Sequence, residues 1–101
     1  MIIRSMKNDN DVILTQEIKR IEFQKAFGKN IKRLRQQQEL TQDRLGYLAE
    51  LDRSYIGGIE RGERNVCLSN IKRIADALKV SVNDLFNFKE ATTYEELCTN
   101  D

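Results

Sequence analysis

The chain has 101 residues, of which 40% are hydrophobic and 33% are charged, and it contains no proline and no histidine. This length predicts one domain with a modest core, and the lack of proline favours helices. No apolar run approaches the roughly 20 residues of a membrane span, and the N-terminus lacks the long apolar core of a signal peptide. We therefore predict a cytoplasmic protein that needs no metal or cofactor, since Cys67 and Cys98 are isolated thiols.

Charge is distributed unevenly along the chain, although the formal net charge is only +1. Residues 23–65 carry nine basic and six acidic side chains, whereas residues 89–101 carry one lysine and four acidic side chains. A basic central segment attracts polyanions such as nucleic acids. The excess is small, however, and a solvated helix face explains it equally well.

Apolar residues recur at helical spacing and predict a compact all-α domain of five short helices over residues 23–88. The first helix is expected from about residue 23 to residue 37. Local capping signals then bound the later helices: Thr41, Asp52 and Ser81 are predicted N-caps, and Gly62 a predicted stop.

The two ends of the chain are less clearly defined by pattern. Residues 1–22 form an N-terminal arm or extension, which either continues the first helix backwards, folds separately or remains mobile. Residues 89–101 are predicted to form a frayed acidic tail.

Two adjacent glycines, Gly57 and Gly58, interrupt the third predicted helix, although each costs about 1 kcal/mol relative to alanine in a helix. Helical periodicity places them on one outward face together with Arg53, Ser54 and Arg61, opposite the isoleucines of the same helix. A face with basic and very small side chains fits the DNA major groove, which is roughly 12 Å wide, and arginine often reads guanine there. Geometry alone leaves a solvated helix with arbitrary glycines equally open.

Three further side chains are placed to contact a DNA backbone. Gln42 begins the second predicted helix, where free backbone N–H groups and the helix dipole attract anions. Arg61 and Arg64 lie at the end of the third helix and just beyond it. These residues are predicted phosphate contacts.

The segment IKRLRQQQELTQDRLGYLAELDRSYIGGIERGERNVCLSNIKRIADALKVSVNDLF closely resembles the Xre/Cro family of phage-repressor-like helix-turn-helix domains. The resemblance rests on three elements, L-T-Q, L-D-R-S-Y-I and I-E-R-G-E-R-N. It covers about residues 24–88. The resemblance implies a sequence-specific transcriptional regulator that binds operator DNA as a dimer. Double-stranded DNA and a second copy of the chain are thus the expected partners, with no membrane and no evident small-molecule effector.

The resemblance also assigns roles to individual positions. Arg53 and Ser54 match the family's main base-reading positions, and Gly57 and Gly58 lie on the groove-facing surface. The phosphate contacts predicted above match family positions as well. Arg35 and Glu60 match positions that form an ion pair between the first and third helices.

Some positions depart from the family pattern. Glu50 stands where the turn usually has glycine, so a left-handed conformation is expected there. Gly46 stands where alanine is usual and keeps the second and third helices close. Gly58 removes a side chain that often reads a base, which leaves direct readout mainly to Arg53.

Within the family, the chain looks most like the controller proteins of restriction–modification systems, which regulate their own operon. The segment responsible is L-D-R-S-Y-I-G-G-I-E-R-G-E-R-N. A prophage repressor remains open, as does an antitoxin or other protein-interaction module that uses the apolar VILTQEIKRIEF segment. An enzyme is not expected, because the chain has no histidine, no glycine-rich phosphate loop and no cysteine paired with a base.

A dimer is expected because one domain offers only one recognition helix, whereas a near-palindromic operator presents two half-sites about one DNA turn, roughly 34 Å, apart. The expected dimer surface is the apolar cluster at the end of the domain, formed by Val82, Phe86 and Phe88. Leu85 of the same cluster is assigned to the core against the first helix. The N-terminal arm is the alternative source of the dimer contact.

Overall fold

The computed structural model describes residues 9–89, which contain helices and connecting turns and no strand. Five helices follow one another in this part of the chain: α1 (Asp9–Gln37), α2 (Gln42–Ala49), α3 (Arg53–Glu60), α4 (Leu68–Leu78) and α5 (Val82–Leu85). The predicted all-α fold is confirmed. Residues 1–8 of the predicted arm and residues 90–101 of the predicted tail, with Cys98, lie outside the described residues.

The core lies where α1 crosses the four shorter helices, and every helix contributes to it. Its largest fully buried side chains are aliphatic: Ile31, Leu45, Ile56, Ile59, Ile74, Leu78 and Leu85. Leu85 packs onto α1 as predicted, and the Asn30 side chain of α1 donates hydrogen bonds to the carbonyls of Leu85 and Asp84, at 2.8 and 3.0 Å. These bonds satisfy carbonyls at the end of α5 and fix this very short helix against α1.

Side-chain caps begin two of the helices as the sequence indicates. The Thr41 hydroxyl accepts a hydrogen bond from the N–H of Arg44 at 3.0 Å. Ser81 and Asp84 form a reciprocal capping box, with bonds of 3.0 and 3.1 Å. Asp52 occupies the N-cap position of α3 but makes no side-chain capping bond. The backbone N–H groups at the N-terminus of α3 therefore receive no hydrogen bond from the Asp52 carboxylate.

The first helix is longer than the predicted span of residues 23–37, because α1 begins at Asp9. Continuation of the helix backwards is thus the alternative that the structure adopts for residues 9–22. No glycine or proline lies between Asp9 and Phe27, so nothing in the backbone stops the helix there. Neither α1 nor any other helix in residues 9–89 has the length and apolarity needed to cross a membrane.

Candidate nucleic-acid interface

The turn between α2 and α3 is held tightly by backbone contacts. A Cβ atom at Gly46 would lie only 2.6 Å from the carbonyl oxygen of Leu51, so glycine allows the turn to pack directly on α2. Glu50 ends α2 in the left-handed conformation, with a φ of 60°, as expected at this position. The resulting helix, turn and helix form a fixed unit that sets the direction in which α3 faces outward.

The N-terminal end of α3 presents two solvent-exposed polar side chains, Arg53 and Ser54. Within residues 9–89, neither side chain has a hydrogen-bond or ion-pair partner. On the opposite side of the helix, Ile56 and Ile59 are fully buried. The structure therefore orients α3 as the periodicity predicts. The hydrogen-bond donors of Arg53 and Ser54, at the N-terminal end of the helix, are directed outward.

The two glycines of α3 lie on this outward face but are covered by side chains, which helical periodicity alone does not indicate. Gly57 and Gly58 are both buried, because long side chains from neighbouring positions lie over them. A Cβ at Gly57 would lie 3.2 Å from the Arg61 guanidinium and 3.4 Å from the Gln42 amide oxygen. At Gly58 it would lie 3.0 Å from the aliphatic part of Arg64. The covering groups are side chains rather than backbone, so the cover is movable.

A buried hydrogen-bonded network joins α1, α2 and α3 and contains the predicted ion pair. The Arg35 guanidinium donates to both carboxylate oxygens of Glu60, at 2.6 and 2.9 Å, and also to the Leu40 carbonyl at 2.7 Å. The bonds to Glu60 raise the pKa of Arg35 above its ordinary value. Gln42 donates to the same carboxylate at 3.0 Å. One of the two N–H donors of the Gln42 amide is therefore used inside the protein, and its role at a phosphate stays a prediction.

The end of α3 carries two exposed arginines with different surroundings. Arg61 pairs with Glu63 at 3.0 Å, and this contact raises the pKa of Arg61 and lowers that of Glu63. The guanidinium of Arg64 lies 5.6 Å from the centre of the Tyr55 ring, within cation–π range. Both arginines therefore carry their charges at the surface, next to the glycines of α3.

Sequence reasoning missed Tyr55, which supports Arg64. Its hydroxyl accepts a hydrogen bond from the Asn70 amide of α4 at 3.2 Å, so the ring is anchored between two helices. The available signal was the single aromatic side chain of α3. Tyr55 thus gives Arg64 a fixed aromatic surface to rest on.

The predicted dimer surface is partly covered by α1. Val82 and Phe86 remain 38% exposed, but Phe86 lies against Phe27 and Phe23 of α1, with ring centroids 4.9 and 6.3 Å apart, and Phe88 lies 5.6 Å from Phe23. Phe86 and Phe88 therefore do not form a free-standing exposed pair. They form an aromatic cluster with Phe23 and Phe27, and only its outer edge is available to a partner.

Comparison with known proteins identifies the family. The helix-turn-helix family model HTH_3 matches residues 31–85, which is more than half of the chain. This chain belongs to the helix-turn-helix family. The family predicted from the sequence is confirmed.

The helix-turn-helix chain is similar to several controller proteins of restriction–modification systems. It is 41% identical over 63 residues to the control protein C.BamHI of Bacillus amyloliquefaciens, a match that covers 61% of this chain and 78% of that protein. The crystal structure of the restriction–modification controller protein C.AhdI from Aeromonas hydrophila aligns with a TM-score of 0.61 at 47% identity, over 61% of this chain and 94% of that one. The structure of C.Esp1396I bound to a 25 base pair operator site aligns with a TM-score of 0.59 at 36% identity, over 63% of this chain and 84% of that one.

The helix-turn-helix match contains all the predicted base-reading, phosphate and ion-pair positions. It leaves out the N-terminal part of α1 and the residues after α5. Among residues 9–89, no cluster of acidic or cysteine side chains could hold a metal ion. The related proteins are named as regulatory controllers rather than as enzymes.

Proposed function

We propose that this chain is a sequence-specific DNA-binding transcriptional regulator. It acts without catalysis, in the cytoplasm, as a homodimer on a near-palindromic operator. The observation that carries the proposal is the exposed N-terminal end of α3, where Arg53 and Ser54 have no partner within residues 9–89 and the helix is held by the buried pair of Arg35 and Glu60. A controller structure with operator DNA, at 36% identity, supports it.

In the proposed complex, α3 lies in the major groove with its N-terminal end towards the bases. Arg53 donates to a guanine, and Ser54 contacts a neighbouring base or the sugar–phosphate backbone. Gln42, Arg61 and Arg64 contact phosphates on either side of the groove. In the free protein these same side chains cover Gly57 and Gly58. Their movement to the phosphates would uncover the backbone of α3 at its glycines, so that DNA can approach closely there.

The regulated genes are proposed to be a restriction–modification operon or the gene of this chain itself. The support is the similarity to three control proteins at 37–41% identity. A phage immunity repressor, 41% identical over 58 residues, keeps a prophage regulator as the alternative within the same class. The neighbouring genes distinguish the two, because a controller lies beside a methyltransferase and a nuclease.

The test of the proposed function is selection from a library of random DNA duplexes with the purified full chain. The proposal expects enrichment of one motif with two-fold symmetry whose half-sites are about 10 base pairs apart from centre to centre. Enrichment of no sequence at all contradicts sequence-specific binding. Enrichment of an unsymmetrical single half-site contradicts the dimer but leaves the reading by α3 in place.

A substitution at Gly57 is expected to affect the stability of the protein and its affinity for DNA in different ways. Gly57→Ala is expected to leave the free energy of unfolding unchanged or to raise it by up to about 1 kcal/mol, since alanine is the better helix former. Only the flexible ends of Arg61 and Gln42 lie within 3.4 Å of the new methyl group, and these ends can move. The same methyl should lower the affinity for the selected operator, because it stands between α3 and the DNA. Unchanged operator affinity in a folded Gly57→Ala protein would show that Gly57 does not face the groove.

Arg61 and Arg64 should affect every DNA sequence alike. Each alanine substitution is expected to reduce the slope of log affinity against log salt by about one, because one fewer counterion is released from the DNA. The measurement is a titration of a fluorescent duplex at several salt concentrations, with Lys72→Ala as the control, since Lys72 lies on α4 and pairs with Asp76. Slopes equal to that of the control would remove the two arginines from the interface.

A second candidate function, a protein-interaction module such as an antitoxin, is favoured by one observation. The N-terminal half of α1 exposes Leu14, Ile18 and Ile21, by 61, 39 and 47%, at positions i, i+4 and i+7 of one helix face. Such a stripe suits a partner helix or groove. A small toxin gene beside this one, and loss of toxin neutralisation when residues 1–22 are removed, would establish this function.

A further inference from the structure

An apolar hollow of about 400 Å³ opens on the surface where α1 meets the loop before α4 and the end of α5. Its apolar lining comes from Phe23, Phe27, Val66, Ile71 and Phe86. Phe23 and Phe86 remain 40% and 38% exposed, so part of this lining faces solvent. The charged side chains of the lining are all basic, Lys19, Arg20 and Arg64.

Leu68 is an exposed residue of the segment that supplies one side of this hollow. It is the first residue of α4, two residues after Val66 and three before Ile71, which both line the hollow. Its exposed fraction is 84%, the largest among the big hydrophobic side chains of residues 10–89. An apolar side chain this exposed buries little of its surface in the single chain, although the hollow has apolar walls that face solvent.

The segment around Leu68 also lacks charge. Residues 65–71 form the longest stretch of the sequence without a charged side chain, in a chain of which 33% is charged. Centres of protein–protein interfaces are depleted of charged residues and are surrounded by a polar rim. Here the uncharged stretch itself supplies three lining residues of the hollow, Asn65, Val66 and Ile71.

From these observations we infer that Leu68 of a second copy inserts into the hollow, and that the two copies exchange this contact about a two-fold axis. An isologous contact uses the same patch on both subunits, so a projection and the recess that receives it must lie side by side on one surface. Leu68 meets this requirement, since Val66 and Ile71 of the same short segment line the hollow. Phe86 belongs to both the hollow and the proposed dimer surface, which makes the contact continuous with that surface.

The inference rests on the homodimer of the proposed function and names its central contact. It also gives the exposed outer edge of the aromatic cluster a role. Phe86, supported from behind by Phe27 at 4.9 Å, forms a wall of the hollow. Leu14 and Ile18, in the N-terminal half of α1, take no part in this contact. Helical periodicity places them on the side of α1 opposite Phe23, which lines the hollow.

The test is sedimentation velocity of the full chain without DNA over a concentration series, with Leu68→Asp and Leu14→Asp compared with the unchanged protein. Leu68→Asp is expected to raise the dimer dissociation constant by at least about 30-fold, the effect of losing a central interface contact. Leu14→Asp changes a residue of the same type that is also largely exposed, and should leave the constant unchanged. An acidic residue in the first turn of a helix is favourable, so Leu68→Asp should retain the wild-type helix content by circular dichroism.

A second readout uses Cys67, the exposed thiol next to Leu68. Its hydrogen bond with the Ser69 hydroxyl at 3.3 Å lowers the pKa of the thiol, which makes it a suitable target for iodoacetamide. In a Cys98→Ser background, alkylation of Cys67 should slow as the protein concentration rises through the dimer dissociation constant. In Leu68→Asp the rate should stay fast at the same concentrations.

The inference is overturned if Leu68→Asp dimerises like the unchanged protein, if Leu14→Asp is the variant that becomes monomeric, or if Cys67 reacts equally fast at all concentrations. A protein that stays monomeric at every concentration overturns it as well. Since these measurements contain no DNA, they are independent of operator recognition. Failure of the duplex selection would remove the proposed function, whereas failure of Leu68→Asp alone would remove only this contact.

Discussion

Replacing Glu60 with alanine is expected to lower the free energy of unfolding by about 3–5 kcal/mol, the usual cost of removing one partner of a buried ion pair. The Glu60 carboxylate accepts two hydrogen bonds from Arg35 and one from Gln42. Without it, the Arg35 guanidinium keeps one partner within residues 9–89, the Leu40 carbonyl, and remains in a site where its side chain is 10% exposed. Chemical denaturation followed by circular dichroism measures the loss.

Glu63 provides the matched control for Glu60. It also pairs with an arginine, Arg61, but the two side chains are 58% and 62% exposed. An exposed pair contributes little to stability because water screens it, so Glu63→Ala should unfold at nearly the wild-type denaturant concentration. If Glu60→Ala is as stable as Glu63→Ala, the network is not what holds α3 against α1.

Replacing Arg53 with alanine is expected to remove most of the preference for one base pair in each half-site. A bidentate contact from arginine to guanine discriminates by roughly 1–3 kcal/mol, which corresponds to about 5- to 150-fold per half-site. The side chain is exposed and has no partner within residues 9–89. The substitution should therefore leave the melting temperature unchanged.

The measurement for Arg53 is the affinity for the selected operator and for each of its single-base variants. Lys72→Ala removes the same charge from an exposed position on α4, where the side chain pairs with Asp76, and should preserve the rank order of the variants. An Arg53→Ala protein that also preserves the wild-type rank order is not reading a base through this residue.

Much of the fold followed from local signals in the sequence. Apolar spacing placed the helices, and the Thr41 and Ser81 caps mark their starts as predicted. The buried pair of Arg35 and Glu60 came from the family resemblance, since periodicity places Glu60 only at the edge of the buried side of α3. A charge at such an edge has no visible partner until the helices are packed.

What the sequence did not reveal depends on side chains that reach across from other positions. A helical projection treats α3 as an isolated cylinder, so it could not show that side chains lie over Gly57 and Gly58 on their outward face. In the folded chain, Gln42 and the two arginines after α3 extend over them. Similarly, the pairing of Phe86 with Phe23 joins residues far apart in sequence, and no periodicity in α5 could indicate it.

The most direct test of the central claim, that α3 reads DNA sequence, is the ratio of two dissociation constants. One is measured for the operator obtained by selection and the other for a scrambled duplex of equal length and composition, at one salt concentration near the physiological value. Specific recognition predicts a ratio of at least about 10³. Equal affinities for the two duplexes would contradict it and leave only non-specific electrostatic binding to DNA.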